Sequence, residues 1–137
     1  MQNYLIRNIQ LVNEGTIRTA DVLLKNGRIE RIGGQLNESN AAVTEINGEG
    51  KYLLPGLIDD QVHFREPGLT HKASIGTESK AAVAGGVTSF MEMPNTIPNA
   101  LTQDLLEEKY QIAARSSVAN YSFFMGTANN NTDEVLR

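Results

Sequence analysis

From Gly56 onward the chain alternates short apolar runs with helical stretches. That alternation limits the available folds more than any other feature. GLIDDQVHF suits a short strand buried on both faces. ASIGTESKAAVAGG is rich in alanine, places Ile75, Ala82 and Val83 on one helical face, and can stop at Gly85-Gly86. VTSFMEMP reads as a second strand, closed by Pro94. LTQDLLEEKYQIAARSS is a second helix, with Thr102 as N-cap and Leu101 and Leu106 placed as a hydrophobic staple. ANYSFFMGT is a third strand, and NTDEVLR opens a third helix with Thr132 as its cap. The order β-α-β-α-β-α is that of a parallel sheet with crossover helices. A closed eight-unit barrel takes about 200 residues or more. With 137 residues, the chain is expected to be a small open α/β domain or the front of a barrel, and the short last helix favours the barrel.

The first 54 residues follow another grammar. YLIRNIQLV is apolar and β-branched, with the turn NEG behind it. In ADVLLKNGRIERIG, Asn26-Gly27 sits between two strand-like runs and favours a two-residue hairpin turn, since both residues tolerate positive φ. GGQLNESN is a loop by composition, while VTEING and KYLLPG are short extended pieces. The expected organisation is a small β module over 1–54 and three β/α units over 55–137.

Composition narrows the function classes. Hydrophobic residues make up 40% of the chain, enough for a core. The formal charge of -4 gives no basic footprint for nucleic acid or an anionic membrane. Without cysteine there is no disulfide and no thiolate metal site. No run approaches the ~18 apolar residues of a membrane span. A cytoplasmic protein is the expectation.

Sites in parallel α/β folds gather at the C-terminal ends of strands. The first strand ends in Gln61-Val62-His63-Phe64-Arg65, and alternation puts Gln61, His63 and Arg65 on one side. His63 supplies a metal-ligating imidazole, and Arg65 a fork shaped for a carboxylate. After the second strand, Asn95 offers a donor and an acceptor, as a ring amide or ureide needs. Each residue also has a structural reading. A single histidine is often a hydrogen-bonded framework residue, Arg65 can pair with Glu66 or Asp59, and Asn95 behind Pro94 can be a turn residue. Asp59 and Asp60 can cap loops, and His71 is expected to be exposed.

PGLIDDQVHFREPGLTHK followed by AAVAGGVTSFMEMPNTIPNA strongly resembles the class I dihydroorotases of the amidohydrolase superfamily. The segment DVLLKNGRIERIG looks like that family's N-terminal β-sandwich piece. Allantoinases and hydantoinases share the glycine and proline framework, while the pairing of Arg65 with an MPNT asparagine favours dihydroorotase. The resemblance implies the N-terminal part of a (β/α)₈ barrel preceded by part of a small β-sandwich. It implies zinc-dependent, reversible interconversion of L-dihydroorotate and N-carbamoyl-L-aspartate in pyrimidine biosynthesis. His63 would be a metal ligand, with Gln61 beside it, and Arg65 and Asn95 would grip the substrate carboxylate. Homo-oligomers and aspartate carbamoyltransferase are the implied partners.

Two departures from the family pattern carry consequences. The family has His-x-His where this chain has Gln61-Val62-His63, so one metal of the pair is expected to be weakened or lost. An amide oxygen is a poor substitute for imidazole on zinc. The family's carboxylated lysine, two further histidines and catalytic aspartate come from strands four to eight, beyond Arg137. The chain is therefore expected to be the front section of a longer polypeptide and inactive alone. A catalytically degenerate, dihydroorotase-like scaffold for another enzyme is the alternative that Gln61 suggests.

Overall fold

The computed structural model describes residues 2–38 and 42–136. The end of the GGQLNESN loop and Arg137 lie outside the described residues. The chain forms two compact units, Met1–Pro55 and Gly56–Arg137.

The first unit is a five-stranded sheet. β1 (Asn3–Asn13), β2 (Thr16–Lys25) and β3 (Arg28–Gly33) form an antiparallel meander, and β4 (Val43–Asn47) and β5 (Tyr52–Leu53) run parallel to β1. Both tight turns use the left-handed region, Glu14-Gly15 at φ 48° and 72° and Asn26-Gly27 at 51° and 73°. The expected Asn-Gly hairpin is therefore present, pairing Lys25 with Arg28. Among the described residues of this unit, Leu5, Ile9, Ala20, Val22 and Leu23 are the buried apolar ones.

Asp21 lies among them, with its side chain 3% exposed. It accepts hydrogen bonds from the Asn8 and Leu36 amides and from Arg7 Nη1, each at 3.0 Å. Asn8, at φ 53°, sits where the β1–β2 register slips between Ile6 and Ile9, so Asp21 satisfies the donor that the slip frees. Burial raises the Asp21 carboxyl, but the two amides and the Arg7 guanidinium outweigh it and hold it below its ordinary 3.8. A depressed carboxyl stabilises the fold above the ordinary value and loses that contribution as pH falls through the folded value. Asp21→Ala is expected to lower stability at neutral pH by about 1–3 kcal/mol, through orphaned amides, and to flatten the acid limb below pH ~4. Urea unfolding across pH measures both.

The second unit is a three-stranded parallel sheet, β6 (Leu57–Val62), β7 (Val87–Glu92) and β8 (Asn120–Phe123), in that order. α1 (Ile75–Ala84) joins β6 to β7, α2 (Gln103–Ser116) joins β7 to β8, and the short α3 (Thr132–Val135) follows. Ser74 caps α1 in a capping box with Thr77, and Thr102 Oγ1 caps α2 by accepting from the Leu105 amide at 3.3 Å. The core joins Phe64, Ile75, Phe90, Ala113, Ala119 and Phe123. Phe64 and Phe90 pack at a tilt with ring centres 4.5 Å apart, and Tyr110 meets Phe123 edge-on at 4.9 Å.

Three expectations are corrected. Leu57 and Ile58 are 58% and 73% exposed, because β6 is an edge strand with β7 on one side only. Ser79, not Val83, joins Ile75 as the buried face of α1, and Val83 is exposed. α3 is capped at Asn131, with Thr132 as its first helical residue. Asn131 is buried because its amide bonds the Leu101 and Gly126 carbonyls, both at 2.8 Å. Among the described residues no helix is long and apolar enough to cross a membrane.

Candidate active site

The β6 and β7 ladders end in two loops that lock onto each other. Met93 N–H donates to Val62 O at 3.0 Å, which carries the strand pairing one residue past β7. Ile97 N–H then donates to Pro67 O at 3.2 Å. Gly68, at φ 82°, lies so close to Ile97 that a Cβ there would fall 2.1 Å from its carbonyl oxygen. The glycine of HFREPG is thus required twice, by conformation and by space. The second loop is braced by the segment after β8, where Phe124 N–H donates to Glu92 O at 2.9 Å and Gly126 N–H to Ala100 O at 2.8 Å.

His63 Nδ1 lies 2.9 Å from Asn95 Oδ1. A carbonyl oxygen only accepts, so Nδ1 is the donor in this contact, and in the neutral imidazole that tautomer puts the lone pair on Nε2. The same contact leaves the Nδ2 donors of Asn95 for another partner. Both residues are exposed, and a depression of about 220 Å³ opens beside Asn95, lined also by Pro94, Asn99, Leu101, Gly126 and Thr127. Recesses of about 430 and 590 Å³ along α2 and α3 include none of His63, Arg65 and Asn95.

β6 ends at Val62, so strand alternation does not place Arg65. Its backbone turns at φ 70°, in the left-handed region that bulky residues rarely occupy. Glu92 Oε1 holds it there, accepting the Arg65 N–H at 2.9 Å. Arg65 is half-buried as a residue, and among the described residues no ion pair engages its guanidinium. Glu66, the neighbour that could have neutralised it, accepts the Ile75 amide at 2.9 Å and thereby closes the first turn of α1. Gln61 is exposed, with its backbone N–H on Asp59 Oδ1 at 3.1 Å. Asp59 thus ties the strand end, and His71 is exposed in a turn before α1.

The model of the family described as dihydro-orotase-like matches residues 50–136. The chain belongs to this family. It is 50% identical over 91 residues to a dihydroorotase of Carboxydothermus hydrogenoformans, covering 66% of the chain and 21% of that protein. It is 36% identical over 136 residues to an allantoinase of Solibacter usitatus, covering 98% and 29%. An L-hydantoinase from Arthrobacter aurescens superposes with a TM-score of 0.90 at 29% identity, over 98% of the chain and 30% of that structure. The chain thus spans between a fifth and a third of the length of these relatives.

Within this dihydro-orotase-like chain, the donor set for a metal is partial. His63 offers one imidazole, and an amide oxygen such as that of Gln61 would be only a weak donor to a metal. No group of three His, Cys, Asp or Glu side chains that could hold a metal ion occurs among the described residues. These residues do not form a metal site by themselves.

Sequence reasoning passed over two site-supporting residues, Glu92 and Lys109. Their side chains are each 1% exposed and meet at 3.0 Å, Lys109 Nζ to Glu92 Oε2. Glu92 takes backbone N–H bonds from Arg65 and Phe64. Lys109 Nζ donates to Met93 O at 3.0 Å and lies 5.1 Å from the centre of the Phe123 ring. Burial raises the Glu92 carboxyl and lowers the Lys109 ammonium from their ordinary values, and their mutual contact opposes both shifts. The sequence held a local hint for each, an acid between Met91 and Met93 in an apolar strand and a lysine on the stripe Leu105-Lys109-Ala113 of α2, but none for their pairing.

Proposed function

We propose that this chain is the front section of a dihydroorotase, a cyclic amidohydrolase built on a (β/α)₈ barrel, that opens L-dihydroorotate to N-carbamoyl-L-aspartate. The observation that carries the reading is the Arg65 guanidinium, which no carboxylate of the described residues neutralises. It stands on a loop locked to the one that presents the free amide donors of Asn95. An arginine fork and an amide together suit a ring bearing a carboxylate. Gripping that carboxylate fixes the ring, which is where orientation lowers the barrier.

In the hydrolysis a ring amide C–N bond breaks; the acyl carbon gains hydroxyl and the departing ureido nitrogen a proton. His63 Nε2 is the donor this chain offers to zinc, with Gln61 as a weak neighbour and the remaining ligands outside residues 1–137. When bound, zinc polarises a carbonyl and brings the pKa of water towards ~7. The expected setting is cytoplasmic pyrimidine synthesis, as a homo-oligomer or beside aspartate carbamoyltransferase. A second reading, another cyclic amide or ureide, is favoured by the likeness to an allantoinase over 98% of the chain.

The test is a substrate panel on the full-length polypeptide with zinc supplied: L-dihydroorotate, allantoin and hydantoin at equal concentration. The expected result is a preference for L-dihydroorotate. A preference for either uncharged ring would move the assignment to the second reading. No turnover by folded protein would favour the scaffold. Gln61→His is expected to raise the zinc retained on dialysis by restoring an imidazole, and unchanged zinc content would remove Gln61 from the metal.

A further inference from the structure

The Glu92–Lys109 pair touches both loops of the site and belongs to neither. Glu92 Oε1 bonds the Arg65 amide in the first loop, and Lys109 Nζ bonds the Met93 carbonyl two residues before Asn95 in the second. The two charges meet between them at 3.0 Å, almost fully buried. We propose that this pair is the positioning device for the substrate grip, setting the Arg65 backbone with one oxygen and the Met93–Asn95 turn through the ammonium.

Stability alone is a poor reason for such a pair. A well-packed apolar pair of similar volume is commonly as stable or more so, because burying charge is costly. What an apolar pair cannot supply is connectivity. A carboxylate accepts at two oxygens and an ammonium donates in three directions, so the pair can hold two backbone segments in one register. Arg65 needs such a hold. At φ 70° an arginine is strained unless its surroundings fix it, and the bond to Glu92 does so. The direction in which the guanidinium leaves the loop follows from that backbone. A lysine on a helix behind the sheet thus sets the positions of Arg65 and Asn95 without touching a ligand.

The proposal rests on the reading of Arg65 and Asn95 as the substrate grip, so its test includes a readout that needs no substrate. In the full-length polypeptide, hydrogen–deuterium exchange is followed by mass spectrometry for wild type, Lys109→Met and the neutral double variant Glu92→Gln/Lys109→Met. Lys109→Met is expected to speed exchange in 92–97, by freeing the Met93 carbonyl, and in 62–67, by leaving the Glu92 carboxylate an unpaired buried charge that is drawn off the Arg65 amide, although the substitution lies in neither segment. In the double variant the carboxamide oxygen that replaces the carboxylate still accepts the Arg65 amide, so 92–97 speeds up while 62–67 stays protected. That variant also removes the unpaired buried charge, and so covers the case in which Lys109→Met fails to fold. KM for L-dihydroorotate is expected to rise about tenfold in folded Lys109→Met, with kcat changing less.

A merely structural pair gives another pattern. Exchange would quicken along 103–116 or uniformly, and kcat would fall with the folded fraction at unchanged KM. Either result overturns the proposal. If wild type turns over no ring, the functional reading fails while the exchange pattern still decides the role of the pair.

Discussion

Arg65→Ala is expected to lower kcat/KM for L-dihydroorotate by about a hundredfold or more, mostly through KM. Losing one partner of a desolvated charge pair typically costs about 2–5 kcal/mol. The loss is expected in KM because the carboxylate is held alike in ground and transition states, and uniform binding appears there. Arg65→Lys keeps the charge but not the planar fork, and is expected to lose about tenfold. Neither change should lower the unfolding midpoint much, because the guanidinium takes part in no ion pair among the described residues. The bond that fixes Arg65 is made by its backbone amide, which both variants retain. Steady-state kinetics beside thermal unfolding separates the two effects. A variant that keeps KM and loses only stability would show that Arg65 serves the fold.

The second large effect concerns the packing that carries the site. Phe90 is 1% exposed and central to the aromatic cluster, with ring centres at 4.5 Å from Phe64 and 6.5 Å from Tyr121 and Phe123. It lies two residues before Glu92 on the same strand face, so it supports the strand from which Glu92 reaches the loops. Phe90→Ala removes most of a ring and leaves a cavity that its neighbours fill incompletely, at about 3–5 kcal/mol. Against a net stability of about 5–15 kcal/mol for a domain, that is a large fraction. Urea unfolding is expected to show a lower midpoint with an unchanged slope. A midpoint within error of wild type would mean that the cluster collapses around the gap and that Phe90 is not its keystone.

How far the sequence foretold these features depends on the range of the interaction. Local chemistry was readable. Asn26-Gly27 specified its hairpin because positive φ is a property of those two residues, and Thr102 specified a helix start because its hydroxyl serves an amide three positions on. The order of strands and helices from Gly56 onward was readable for the same reason, as hydrophobic period is a local signal. Long-range pairings were not. Nothing near Arg65 announces a carboxylate 27 positions away, and strand alternation, the basis for grouping Arg65 with His63, ends at Val62. The Gln61-Val62-His63 trio stood out because of its residue types. Glu92 and Lys109 were passed over because each looked like a charged residue on an otherwise ordinary element. Their meaning lies in the 3.0 Å between them. The exposure of Leu57 and Ile58 was likewise invisible, because an apolar run does not reveal whether it sits at the edge or the middle of a sheet.

The strand-end loops of this dihydro-orotase-like chain are proposed to grip a carboxylated cyclic amide for hydrolysis. The decisive measurement is steady-state hydrolysis of L-dihydroorotate by the full-length polypeptide with zinc supplied. The expected result is saturable turnover that Arg65→Ala removes through KM. Folded, zinc-loaded protein that leaves L-dihydroorotate unchanged would contradict it.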